Sequence, residues 1–156
     1  MDRRDPSAPA PDGPSPAAST ERLGLAASAL RILAALKAGV LAVSLLARAL
    51  GAPAARSAAA ELALGAGWVA ALCWAAAGLA RGQRATAAAA LLVFYGIVEV
   101  ATHTVALRAL GPRPDAWTAY AGLGVLLVAY LFACSAVLRA LRAGGSADQG
   151  TTSAPP

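Results

Sequence analysis

Glu99 and His103 are the side chains whose chemistry stands out most from their surroundings. They sit one helical turn apart in residues 91–110, LLVFYGIVEVATHTVALRAL, and His103 is the only histidine in the chain. A carboxylate and an imidazole at that spacing can share or pass a proton. Tyr95 lies one turn before Glu99, so 95, 99 and 103 form one stripe along a helix, with Thr102 beside it. The rest of the segment is mainly Val, Leu, Ile and Ala. A charge facing lipid there would cost at least ~2.5 kcal/mol. The stripe is therefore expected to face other helices, a water-filled cavity or a second subunit.

Lys37, the only lysine, lies in the inner half of the first apolar segment. Its long side chain can run along the helix, which makes it the expected countercharge for Glu99. Glu61, near the outer start of the second segment, comes to a level where Arg48 and Arg108 at the outer rim can serve it.

The stripe admits three readings. In the first it is interhelical glue, with Glu99 protonated or paired with Lys37. In the second it is a proton relay or substrate path in a transporter. In the third it is a metal, haem or catalytic centre. One His and one Glu are too few ligands for a metal in one chain, although two copies across a dimer could bring more. The spacing is neither Glu-x-x-His nor His-Glu-x-x-His. Cys73 and Cys134 both lie in apolar segments and form no CxxC pair, and such buried cysteines usually behave as small hydrophobes. With no nucleophile set beside a matched base, the chain is read as non-enzymatic and without a cofactor.

The elements that must position these residues follow from composition. Of 156 residues, 58% are hydrophobic and 13% charged, and the mean hydropathy is +0.61. A soluble domain of this size needs a more polar surface than that; a lipid bilayer can cover the excess. Four apolar segments, about residues 25–50, 57–80, 85–110 and 115–141, each reach the ~20 residues that a helix needs to cross a hydrocarbon core. They are too long for barrel strands and lack their alternation. Gly51-Ala52-Pro53 and Gly111-Pro112-Arg113-Pro114 punctuate the chain between spans. The expected fold is an all-α integral membrane protein, an antiparallel four-helix bundle over residues 23–142. Residues 1–22, rich in Pro, Ser, Ala and Asp, and residues 143–156 are expected to be disordered tails.

Small residues let membrane helices approach closely. The second span offers Ala63, Gly67, Ala71 and Ala75 on one face, and the first offers Ala34, Ala38 and Ala42. The first set is the expected contact for a homodimer or another membrane-protein partner. However, 45 residues are Ala and twelve of the thirteen basic residues are Arg, so codon bias alone can generate such runs. The same bias points to a GC-rich bacterial source and thus to an inner membrane.

The formal net charge of +5 arises largely from Arg between apolar segments. That is where membrane anchors lie, and no basic face forms for nucleic acid. Arg22, Arg31, Arg81, Arg84, Arg139 and Arg142 flank the membrane on the side of the termini. Arg48, Arg56, Arg108 and Arg113 flank it on the other, so the termini are expected in the cytoplasm.

Overall fold

The computed structural model describes residues 16–51, 57–110 and 117–148, and every regular element in them is helical. The elements are α1 (Pro16–Ala49), α2 (Ala58–Ala80), α3 (Ala85–Leu110) and α4 (Trp117–Asp148). Each contains a stretch long and apolar enough to cross a membrane. The chain is thus a small polytopic membrane protein built as a four-helix bundle.

The caps explain the interior boundaries. Ser57 takes the N-cap of α2, and its hydroxyl accepts from the Ala60 amide at 3.2 Å, satisfying one of the free first-turn donors. At the other end of α2 the amide of Gln83 reaches back to the Gly78 carbonyl at 2.9 Å, with Gly82 at φ +71° making the turn. Glycine adopts that conformation without penalty. Arg84 also has a positive φ, of 65°, and its guanidinium lies 4.4 Å from the centre of the Trp74 ring. That stacking helps to hold an otherwise unfavourable backbone.

The two outer helices run past the expected spans. α1 begins at Pro16 and α4 continues to Asp148, so residues 16–22 and 143–148, expected as tail, are helical. The correction has a simple cause. Hydropathy marks where a helix is apolar, whereas helix propensity continues through flanks rich in Ala, Leu and Arg, and Pro is favoured in a first turn. A helix of 34 residues is about 50 Å long, well beyond a hydrocarbon core of ~30 Å. The remainder of the expected tails lies outside the described residues.

Consecutive helices pack side by side, and α4 closes the ring on α1. α1 and α3 therefore lie on a diagonal with no close backbone approach, while α2 and α4 each touch both. The core is not evenly spread along the bundle. Its buried residues include Ala26, Leu30 and Leu33 of α1, Leu72, Ala76 and Leu79 of α2, Ala88 and Leu92 of α3, and Ala133 and Val137 of α4. All of these lie in the half nearer the termini. Small side chains let α1 approach its neighbours closely there. In the opposite half α1 carries Lys37, Ser44 and Arg48, and polar cross-helix contacts join the apolar ones.

The small-residue rows behave unevenly. Ala75 is fully buried, but Ala63 and Gly67 are exposed, and a Cβ at Gly67 would meet no neighbour. Ala34 is buried, while Ala38 and Ala42 are exposed. The close approach on α2 is instead at Gly65, where an added Cβ would come within 2.8 Å of Leu41 Cδ2.

Candidate functional site

Lys37 and Glu99 meet across the diagonal. Lys37 Nζ lies 2.5 Å from Glu99 Oε1. Glu99 is 8% exposed as a residue, and the Lys37 side chain is 12% exposed. The lysine stem makes this possible, because it spans a gap that the two backbones do not close.

His103 completes the group from the same helix as Glu99. Its Nδ1 lies 2.8 Å from the Glu99 carbonyl oxygen and 3.3 Å from Glu99 Oε2. Both neighbours of Nδ1 are acceptors, so Nδ1 carries the proton and donates, most closely to the carbonyl. In the neutral ring this leaves Nε2 as the acceptor.

An aromatic stack supports the stripe. Tyr95 is 2% exposed and meets the Trp68 ring edge-on at 4.9 Å between centres. Tyr130 of α4 lies 5.9 Å from Tyr95, centre to centre. Lys37 Nζ sits 5.9 Å from the centre of the Tyr95 ring, a cation–π distance that supplements the carboxylate. The Tyr95 hydroxyl and the Trp68 Nε1 are buried with no hydrogen-bond partner among the described residues. Thr102 is half-buried and stands beside the stripe.

The outer-rim charges form a second, smaller cluster. Ser44 donates to Glu61 Oε1, and Arg48 Nε lies 3.0 Å from Glu61 Oε2 without hydrogen-bond alignment. Arg108 is exposed at the end of α3, so of the two candidate partners it is Arg48 that stands against Glu61.

Three participants escaped the sequence reading. Ser44 was detectable: 37, 44 and 48 share one face of α1, so its polar residues already form a row towards α2 and α3. Tyr130 carried no such signal, since an aromatic residue in a span is usually packing or lipid-facing. It donates to the Leu92 carbonyl at 3.1 Å, and it comes so near α3 that a Cβ at Gly96 would collide with its hydroxyl. Thr104 bonds the Val100 carbonyl at 2.7 Å.

Between α3 and α4 a cleft of about 190 Å³ opens beside the triad. Glu99, His103, Tyr95 and Tyr130 line it, and Val100, Leu126 and Leu127 are among its apolar walls. Among the described residues no group of three or more His, Cys, Asp or Glu comes together to hold a metal ion. Cys73 is exposed and Cys134 half-buried, both as free thiols.

In fold and site together, this is a multi-pass membrane bundle with a polar cluster crossing its core. Compared with known proteins, the chain matches no family model, no curated protein and no solved structure.

Proposed function

We propose that the chain is a small, non-enzymatic membrane protein in which Lys37, Glu99 and His103 hold the bundle, or a complex built on it, together. One observation carries this reading. The ion pair joins α1 to α3, two helices on a diagonal that do not pack on each other. A bond across the diagonal fixes the register of α1 against α3, which apolar packing in lipid specifies only weakly. The setting we propose is a bacterial inner membrane with both termini in the cytoplasm, supported by the Arg distribution. The exposed Ala63 and Gly67 face of α2 is the proposed contact for a second copy or another membrane protein.

A second reading, a proton-coupled transporter or permease component, has a specific observation in its favour. Glu99 and His103 border the α3–α4 cleft instead of being sealed inside. Replacing Glu99 with Gln separates the two. A fall in membrane abundance supports the clasp. Normal abundance with loss of a transport phenotype supports proton coupling and defeats the purely structural reading.

A further inference from the structure

The α3–α4 cleft has the chemistry of a binding site for a small neutral molecule. Charged ligands are disfavoured, because Glu99 is already paired with Lys37 at 2.5 Å, with its other oxygen turned to His103 Nδ1 at 3.3 Å. Neither an ammonium nor a carboxylate finds an uncompensated partner, and burying one unpaired is costly. What remains is an acceptor. With Nδ1 held by the Glu99 carbonyl at 2.8 Å, the free lone pair of His103 is on Nε2, on a side chain 29% exposed that lines the cleft. A second polar group, the Tyr95 hydroxyl, is buried at the same cleft without a partner.

The walls set the body of the ligand. Leu123, Leu126, Leu127 and Val100 are aliphatic, and the Tyr95 and Tyr130 rings stand 5.9 Å apart at one end. The volume of about 190 Å³ compares with ~150 Å³ for an apolar cavity that takes benzene. It therefore suits one ring with a small substituent. Val100 and Leu127 are 65% and 50% exposed at a depth where the surroundings are lipid, so the cleft is reached from the bilayer. We propose that it binds a neutral monocyclic phenol or aromatic alcohol, whose hydroxyl donates to His103 Nε2 while its ring lies among the aliphatic walls.

Because His103 is the only histidine, selectively ¹⁵N-labelled imidazole in the full chain, reconstituted in lipid nanodiscs, gives one residue's signals. Without ligand they should report a proton on Nδ1 and a bare Nε2. Titration with para-cresol should shift Nε2 saturably, and para-cresol should bind about three- to tenfold more tightly than toluene, which has the same body without the hydroxyl. Leu127→Trp, and separately Val100→Trp from the other wall, should abolish saturation. Both positions are exposed enough for the new ring to occupy the cleft without entering the core. A proton on Nε2 in the unliganded protein, equal affinities for the two probes, or a linear shift from mere partitioning into lipid would each overturn the proposal. So would a saturable shift that survives both tryptophan variants when their melting temperatures match the parent's.

Discussion

The Lys37–Glu99 pair makes a quantitative prediction that also tests the proposed function. At 2.5 Å and an effective dielectric constant of ~20, two unit charges attract by about 7 kcal/mol. Part of that offsets the cost of desolvating both groups, which are almost nine-tenths covered. Removing one partner leaves the other charge without compensation, and the expected cost is ~3–5 kcal/mol. The two single variants should not be equal. Lys37→Ala leaves Glu99 with His103 still at 3.3 Å. Glu99→Ala leaves an ammonium facing only the Tyr95 ring, at 5.9 Å, and so belongs at the upper end. Replacing both with apolar residues of similar length, Glu99→Leu with Lys37→Met, removes the charges together and should return stability to within ~1 kcal/mol of the parent. Reversible unfolding in mixed micelles, with membrane abundance as a parallel readout, measures all four corners of the cycle. A coupling energy near zero, or a double variant as damaged as the worse single one, would show that the pair does not hold α1 to α3.

Other outcomes follow from the same geometry. Gly96→Ala pushes on the Tyr130 hydroxyl and should cost ~1–3 kcal/mol, whereas Gly67→Ala meets no neighbour and should stabilise by ~0.5–1 kcal/mol; thermal melts that reverse this order contradict the packing of α3 on α4. Gly67→Leu should weaken a crosslinked dimer while leaving the monomer folded, and a strictly monomeric parent in several mild detergents removes the dimer proposal. Glu61→Ala strands Arg48 and Ser44, and because these groups are only partly covered the loss should be ~1 kcal/mol or less. A reporter active only in the periplasm should be silent when fused after Pro156 or inserted at Gln83, and active when inserted near Ala54 or Arg113; the inverse pattern refutes the proposed orientation.

The helices were legible because the membrane imposes a length and an apolarity that few other environments demand. The bounds of α3 and of the end of α2 coincide with the reading, since Arg81-Gly82-Gln83-Arg84 and the proline-rich stretch after Leu110 stop a helix and an apolar run at once. At Pro16 and Asp148 the two signals part, and hydropathy alone stopped short. The ion pair was legible from depth: two opposite charges in parallel-running spans at neighbouring levels. Its diagonal placement was not, because depth says nothing about the order of helices around the bundle. Gly96 and Tyr130 were silent for a related reason. A glycine and an aromatic 34 positions apart become informative only when their helices are known to be adjacent.

What sequence patterning could not convey is that the two halves of the bundle are held by different forces. Near the termini, Ala26, Leu30 and Leu33 on α1 let the neighbouring helices interlock, and van der Waals packing suffices. Beyond Lys37 the same face of α1 carries Ser44 and Arg48, which demand polar partners, so Glu61 and Glu99 answer from α2 and α3. The cleft between α3 and α4 lies in that polar half. α3 meets α4 through Tyr130 at Leu92 and Gly96. One turn further out, beside His103, the gap is walled by Leu123, Leu126 and Leu127. The charge pair and the open site thus share the half of the bundle in which the inward face of α1 carries Lys37, Ser44 and Arg48.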